Sequence, residues 1–383
     1  SPLVEGLRSG LGLVSLDTTQ ADLSEDGVQM LGETLLQLEA PSALALAATT
    51  SFSVGREDAS LQLCRRGISH PYAMLLAGVL RRNTTVHTLD ISANWIGPSL
   101  GDALARVLGA NSALTSINLY ANSMGDEGAA ALVKAAARNT SSALATLDLG
   151  LNGVERATAC ALVELASGRR TLTELGLANN RLCCSLDAAG RVRGVDYSSG
   201  NGVGVFDSLR RIVAEGSVAK LDLSGNDLGA EGVAVLAEAV RSSSSLLWLS
   251  VSRTNYGGGV GGTASVEALA EGVRTNGSLT TIVLEGSALP IEALKAVSRE
   301  EREVMLADRK LLVGDLSRTF IAALCEGVVR RGADESDSFT HSSHSSHKTL
   351  HSSAHASPGS AEVARGGAVD GAKAAAAPKV EGT

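Results

Sequence analysis

The chain has 383 residues, a formal net charge of −8 and only 3% aromatic residues. This acidic balance argues against binding to the phosphate backbone of a nucleic acid, and no apolar run reaches the roughly 18 residues that a membrane-spanning helix needs. The five scattered cysteines show neither zinc-site spacing nor a cysteine-rich cap. We therefore expect a cytoplasmic protein with no membrane segment, no cofactor and no metal site.

The first predicted unit is a short strand around Leu16, followed by a helix that the residues S-E-D-G open. Counting back one repeat from Leu13 places Leu3 and Leu7 on the inner face of a preceding helix. The chain is therefore expected to begin inside a repeat helix, as a fragment of a longer protein would.

Two interpretations of residues 41–85 stay open. Either a shortened unit of 17 residues that starts at Leu44 precedes a unit built on Leu61, Leu63 and Ile68, or one unit carries an insertion. The leucine spacing favours two units.

The clearest unit runs from Leu114 to Asn139. Leu114, Ile117 and Leu119 follow the pattern L-x-x-L-x-L, which predicts a short strand with one buried face, and G-D-E-G then opens a helix. Equivalent units start at residues 86, 114, 144 and 172, which are 28, 30 and 28 residues apart, and another starts at 218. A fixed period of this kind indicates a solenoid.

Each regular unit places an asparagine in the turn after its strand. In stacked units these amides are expected to form a ladder, bonding backbone groups that the turn removes from strand and helix. Replacing Asn122 by Ala should cost about 1–3 kcal/mol, because buried backbone donors would lose their partner. Thr254 takes this place in a later unit, where its hydroxyl is expected to bond the turn less completely. The predicted ladder consists of Asn94, Asn122, Asn152, Asn180 and Asn226.

These strands, turn asparagines and the 28-residue period with G-D-E-G before the helix resemble leucine-rich repeats of the ribonuclease-inhibitor subclass. That subclass also supplies the repeat regions of NOD-like receptors and of Ran GTPase-activating proteins. The resemblance implies an α/β horseshoe solenoid of about ten repeats over residues 1–331, with parallel strands on the concave face and helices on the convex face. It does not imply one function, because the fold hosts many partners.

Two insertions interrupt the period, near residues 185–205 and 256–262. Both are expected to loop out at the same edge, before helices such as the one predicted at 206–215, and such insertions commonly gather on a binding face. A degraded unit at residues 306–328 is expected to close the array. Residues 332–383 are rich in Ser, His, Ala and Gly, which predicts disorder, and their five histidines lack the carboxylate or cysteine partners of a specific metal site.

The outward strand positions hold the candidate binding site. Acidic residues recur in one column, Asp90, Asp148 and Asp222, against the single cation Lys220. Such a column favours a protein partner with a basic patch, and large aromatic residues beside it are typical binding anchors. The plainer interpretation is that polar residues only solvate the sheet. The candidate residues are Asp90, Asn118, Tyr120, Asp148, Glu174, Asp222, Trp248 and Glu285.

The sequence thus predicts a non-enzymatic protein-interaction scaffold or sensor, such as the repeat region of a NOD-like receptor-type protein. No Ser/His/Asp or Cys/His arrangement for catalysis is evident. The alternative is a GTPase activator resembling the Ran activators, which typically carry a strongly acidic segment after their repeats. Here residues 332–383 hold six acidic and four basic residues, which lowers this alternative. Measuring GTP hydrolysis by a panel of GTPases with and without the chain distinguishes the two.

Overall fold

The computed structural model describes residues 15–21, 23–38, 46–168, 171–182, 201–254 and 259–284, together with Glu5. Within these ranges short strands alternate with helices. The strands are β1 (Ser15–Asp17), β2 (Leu46–Ala48), β3 (Ser53–Val54), β4 (Ser60–Gln62), β5 (Thr88–Asp90), β6 (Ser116–Asn118), β7 (Thr146–Asp148), β8 (Glu174–Gly176), β9 (Lys220–Asp222), β10 (Trp248–Ser250) and β11 (Thr281–Val283). The helices are α1 (Glu25–Gln37), α2 (His70–Leu80), α3 (Ser99–Leu108), α4 (Gly125–Arg138), α5 (Arg156–Gly168), α6 (Asn201–Glu215), α7 (Gly229–Ser242) and α8 (Gly259–Thr275).

Strands β4 to β11 form one parallel sheet whose strand order follows the chain. The register joins equivalent residues, so that Leu61 pairs with Leu89 and Leu89 pairs with Ile117. These middle residues are buried, whereas the first and third residues of most strands of this sheet, as in β5 and β6, are partly exposed. The parallel sheet and the alternating helices confirm the predicted α/β solenoid.

The helices form a second layer in which each helix packs against the next one, from α1 to α8. One apolar core runs between the two layers and includes buried residues from Leu16 to Leu284. Close approach of α3 and α4 depends on Gly101, because a Cβ atom there would lie 2.4 Å from the carbonyl carbon of Gly128. The helix layer is continuous even where the sheet is not.

The sheet is interrupted within residues 41–85. Strand β2 pairs in parallel with β1, but it is followed by the antiparallel strand β3 and not by a helix. The Thr49 hydroxyl closes this hairpin by accepting from the N–H groups of Ser51 and Phe52. Only residues 49–59 separate β2 from β4, too few for a turn, a helix and a second turn, so a hairpin replaces the helix. The unit built on Leu61 is present as β4 and α2.

Two helices begin earlier than the sequence predicted. Helix α6 begins at Asn201 and not at Phe206, and α8 begins at Gly259, inside the glycine run that was expected to loop out. Once a buried apolar stripe fixes a helix, each further residue adds a hydrogen bond at little cost, which extends the helix upstream. Residues 183–200, Glu285, the predicted closing unit and residues 332–383 lie outside the described residues.

Candidate functional site

The outward residues of the parallel sheet lie in two lines across the strands. The third strand positions place Asp90, Asn118, Asp148, Gly176 and Asp222 in consecutive register. We call these five residues the acidic column. The first strand positions place Glu174, Lys220 and Trp248 side by side in a parallel line. Tyr120 lies two residues past the end of β6 and so points to the same side as Asn118. The structure therefore brings seven of the eight candidate residues onto one face, which we call the strand face.

Each carboxylate of the acidic column uses one oxygen at the end of its own strand. Asp90 Oδ1 accepts from the Ser92 N–H at 2.9 Å, and Asp148 Oδ1 accepts from the Gly150 N–H at 2.8 Å. Asn118 makes the same contact without a charge, since its Oδ1 accepts from the Tyr120 N–H at 3.0 Å. An uncharged acceptor therefore serves in β6, and Gly176 takes the same position in β8 with no side chain, so the turn does not need a negative charge.

Asp148 lies in the middle of the column, where its surroundings disfavour the charged form. Burial raises the pKa of Asp148, and the nearby carboxylates of Asp222 and Asp90 raise it further, against the lowering effects of the Gly150 N–H and of Lys220. Gly176 leaves room for this carboxylate, because a Cβ atom there would lie 2.6 Å from Asp148 Oδ1.

Lys220 contacts both of its neighbours in the line of residues beside the acidic column. Its Nζ lies 3.5 Å from Glu174 Oε2 and 5.5 Å from the centre of the Trp248 ring. Cation–π contacts of this kind contribute about 0.5–1 kcal/mol at exposed sites. Glu174 and Trp248 are therefore both engaged by the same side chain, and a partner that contacts either of them competes with Lys220.

Tyr120 lies flat on the strand face and does not project from it. Its ring covers Gly150, where a Cβ atom would be 2.6 Å from Tyr120 Cδ2. Its hydroxyl accepts a hydrogen bond from Asn179 Nδ2 at 3.3 Å. The ring is thus held in place across neighbouring repeats before any partner binds, which reduces the entropy lost on association.

The turn asparagines connect successive units through their side chains. Asn180 Nδ2 donates to the carbonyl oxygens of Leu149 and Leu177, and its Oδ1 accepts from the N–H groups of Asn152 and Val154, all at 3.0 Å. Each amide therefore joins its own turn to that of the preceding unit. Similar contacts are made by Asn94, Asn152 and Asn226.

Asn122 departs from this pattern. Its Nδ2 donates to the carbonyl oxygens of Ile91 and Leu119, but its buried Oδ1 has no partner among the described residues. The expectation that Asn122 serves buried backbone donors is therefore wrong. The Asn122 backbone carbonyl still accepts from the Gly97 N–H of the preceding unit, as the Asn152 carbonyl does from the Gly125 N–H.

Thr254 does not replace the missing asparagine of its unit. Its Oγ1 is buried, and within the described part of the chain it makes no hydrogen bond. The predicted partial bonding by a hydroxyl is therefore also wrong. The shorter side chain leaves the Leu228 N–H to donate to the Asn226 backbone carbonyl.

A second asparagine ladder lies where the helices end. Asn111 Nδ2 donates to the carbonyl oxygens of Leu80 and Asn83, and Asn139 Nδ2 donates to those of Leu108 and Asn111. The sequence analysis ended its clearest unit at Asn139 but missed that such asparagines connect neighbouring units. The signal was present, because residues 83, 111 and 139 are spaced by the repeat period of 28.

Comparison with known proteins identifies the repeat. A family model described as Leucine Rich repeat matches residues 82–105, 110–133 and 217–237. These units are leucine-rich repeats. The match specifies no subclass, so the resemblance to the ribonuclease-inhibitor type stays a prediction. A search of curated protein sequences found no match to this chain.

Solved structures with leucine-rich repeats are among those similar to the chain. The leucine-rich repeat-containing protein LegL7 from Legionella pneumophila shares 17% identity at a TM-score of 0.35, covering 86% of this chain and 95% of that one. The C-terminal domain of tropomodulin from Caenorhabditis elegans shares 13% identity at 0.25, covering 55% and 91%. A structure titled Leiomodin-1 Actin-Binding Site 2 shares 13% identity at 0.31, covering 63% and 96%. Similarities of this size carry no argument about partners.

The sequence analysis did not identify Trp95 as an exposed aromatic residue. Trp95 follows Asn94 in a strand-to-helix loop, is 64% exposed and has a φ of 55°. Ser123 has the same left-handed conformation one repeat later, which shows that the repeat and not the tryptophan sets this backbone. The sequence contained the tryptophan but gave no sign that its ring faces solvent.

Neither a metal site nor a membrane segment is found in the described part of the leucine-rich repeats. No group of three or more His, Cys, Asp or Glu side chains there is placed to hold a metal ion. Among the same residues, no helix combines the length and apolar character needed to cross a bilayer.

Proposed function

We propose that the chain is a non-enzymatic interaction module that binds a protein partner with a basic patch on its strand face. The acidic column supplies the charge, and the half-buried rings of Tyr120 and Trp248 supply apolar contact area. The strand-to-helix loops, which carry the exposed Trp95, extend this surface at one edge. Such a module serves as a scaffold or as a sensor.

The observation that carries the proposal is a negative charge at a strand position where the fold does not require one. Asn118 caps its strand end as Asp90 and Asp148 do, yet it remains neutral. Burial and two neighbouring carboxylates oppose ionisation of Asp148, as the raised pKa of that group reports. A carboxylate whose ionisation its surroundings oppose, and which has a neutral equivalent one strand away, is best explained by a role in binding.

Lys220 competes with the basic side chains of a partner for contacts on the strand face. It lies between Glu174 and Trp248 and also lowers the pKa of Asp148. A lysine or arginine of a partner that reaches Glu174 displaces this contact, which is exposed and therefore weak. The surface thus favours partners that present several positive charges over those with only one.

The test replaces Asp90, Asp148 and Asp222 together by Asn. These substitutions remove three charges and keep each Oδ1 acceptor, as Asn118 demonstrates. The matched control converts the exposed carboxylates of Asp102, Glu164 and Glu231, on the helix layer, to amides, with the same change in net charge. Proteins captured by the immobilised wild-type chain are purified and titrated against all three forms.

We expect the column variant to bind at least about tenfold more weakly, since close charge pairs contribute strongly to association. The control should stay within about twofold of wild type, and added salt should weaken wild-type binding. An equal loss of affinity in the column variant and the control would show that binding depends on the net charge of the chain and not on the position of the charges. Unchanged binding in the column variant would exclude the strand face as the site.

A further inference from the structure

A shallow groove lies on the helix layer between α3 and α4 and reaches the start of α5. Its volume is about 520 Å³. Alanine methyl groups form its floor, and three cations and one carboxylate stand along its walls. The floor consists of Ala105, Ala130, Ala131, Ala135 and Ala157, and the charged residues are Arg106, Glu127, Lys134 and Arg138.

The small residues of α3 and α4 create this groove. Gly101 allows the two helices to approach so closely that a Cβ atom would meet the Gly128 backbone at 2.4 Å. Farther along, a Cβ atom at Gly109 would lie 3.9 Å from the Cβ atom of Ala135. Because no longer apolar side chain fills the seam between the helices, the methyl floor stays accessible, and the long Arg and Lys side chains flank it.

The cations of the groove lack the carboxylate partners that arginines have in other helices. In α7, Arg241 is paired with Glu238 at 2.6 Å, and in α8, Arg274 is paired with Glu271, in both cases three residues earlier. These pairs neutralise the basic residue near the end of each helix.

The position three residues earlier is alanine in the groove helices, Ala103 before Arg106 and Ala135 before Arg138. Among the described residues, no ion pair involves Arg106, Lys134 or Arg138. The favourable interaction of a cation with a helix C-terminus accounts for Arg106 and Arg138 singly. It does not account for three unpaired cations around one accessible apolar floor on a chain of net charge −8.

We propose that this groove is a second docking surface, which takes an acidic helical segment of a protein partner. The methyl floor fits a ridge of small side chains on such a helix, and Arg106, Lys134 and Arg138 face its carboxylates. A compact anion would use the cations but leave the floor unused. The groove lies on the helix layer and the acidic column on the strand face, so this surface goes beyond the proposed function and does not depend on it.

The probe is a synthetic alanine-rich peptide with glutamate at every fourth position, labelled with fluorescein and titrated with the full chain at low salt. The test variants are the pair Arg106→Glu and Arg138→Glu, and separately Ala135→Glu, which supplies the partner that α7 and α8 contain. The matched control is the pair Arg241→Glu and Arg274→Glu, with the same change in net charge. Fluorescence anisotropy reports binding, and circular dichroism verifies that each variant is folded.

We expect the double reversal to weaken peptide binding at least about tenfold, because two attractions become repulsions. Ala135→Glu should weaken it by a similar factor, and the control should change it less than about threefold. A peptide with glutamine in place of glutamate should bind far more weakly. The triple asparagine variant of the acidic column should bind the probe at least as tightly as wild type, so failure of one proposal is separable from failure of the other.

Three outcomes would overturn the proposal. Equal loss in the double reversal and its matched control would mean diffuse attraction to any positive charge. Equal binding of the glutamine peptide would mean that the cations play no part. Displacement of the peptide by inorganic phosphate or by vesicles of anionic phospholipid, at similar charge concentration, would assign the groove to anions or a membrane surface instead of a helix.

Discussion

The side chain of Asn180 connects two repeats: it makes three hydrogen bonds to the preceding unit and also donates to the Leu177 carbonyl of its own unit. Asparagine suits this position because one side chain offers both donors and an acceptor to backbone groups that no strand or helix satisfies. For stability, the oxygen acceptor of this side chain matters more than its N–H donors. The reason is that a buried backbone N–H without a partner is rarer in proteins than a carbonyl with too few partners.

This asymmetry predicts unequal effects of two alanine substitutions. Asn152→Ala removes the acceptor of the Asn122 and Met124 N–H groups, so it should lower the free energy of unfolding by about 1–3 kcal/mol. Asn122→Ala should lower it by less than about 1 kcal/mol, because the Ile91 and Leu119 carbonyls keep the amides of Asn94 and Asn152 as donors. Urea unfolding measures both. Equal losses would contradict the contacts described above.

The raised pKa of Asp148 predicts that replacing this residue by Asn stabilises the chain, and that the gain depends on pH. Its pKa is raised in the folded chain, so the folded state binds a proton more readily, and this stabilisation is lost as the pH rises through the folded pKa. Asp148→Asn removes the ionisation and keeps the Oδ1 acceptor. Its Tm should exceed that of wild type near neutral pH, and the difference should shrink as the pH falls towards about 4, the ordinary pKa of an aspartate in the unfolded chain. A constant difference across this range would argue against an ionisation effect.

At the scale of elements, glycines decide how closely the helices pack. Helices α3 and α4 meet at Gly101 and Gly128 with backbone against backbone. A side chain at this contact has nowhere to go, because the opposing atoms belong to a helix backbone and cannot rotate aside. The same contact shapes the groove with the alanine floor.

Gly101→Ala should therefore destabilise the chain by about 1–3 kcal/mol, the usual range for overpacking. Gly168→Ala, at the end of α5, is the control, since a Cβ atom there meets nothing within 4 Å. That variant should be neutral or stabilised by up to about 1 kcal/mol through helix propensity. Thermal or urea unfolding compares the two. If both variants behave alike, the close helix contact does not exist.

At the scale of the repeat array, the sheet is broken although the helix layer that packs on it is continuous. Strands β1 to β3 form a separate three-stranded sheet, while β4 to β11 form the parallel sheet. The stability of a solenoid is roughly a sum of repeat terms and nearest-neighbour interfaces. An interface that keeps its helix contact but loses its strand pairing contributes less to that sum.

We therefore expect amide exchange to differ across the break. The N–H of Thr18, which bonds the Ala48 carbonyl, should exchange at least about tenfold faster than those of Leu119 and Leu149 in the parallel sheet. Hydrogen exchange followed by NMR or mass spectrometry measures this. Uniform protection from β1 to β9 would mean that the chain opens as one cooperative unit in spite of the break.

The candidate site was predictable where it follows the repeat. The repeat, with intervals of 28 and 30 residues, placed Asp90, Asn118 and Asp148 on equivalent strands, and a one-in-two alternation pointed them outward. The flat placement of Tyr120 on Gly150 and the bridge from Lys220 to Trp248 were not predictable. Both depend on which side chains of neighbouring strands share a space, and one repeat considered alone does not contain that information.

The sequence by itself determined the α/β solenoid, because apolar residues at a fixed period can be buried only by stacking. Only the tertiary structure decided that residues 49–59 form a hairpin region without a helix, that Asn122 Oδ1 stays unpaired, and that Trp95 faces solvent. It also decided where the unpaired cations gather on the alanine groove. The physical reason is that periodicity fixes which face of an element is buried, whereas hydrogen-bond partners, close contacts and unpaired charges depend on distances between repeats.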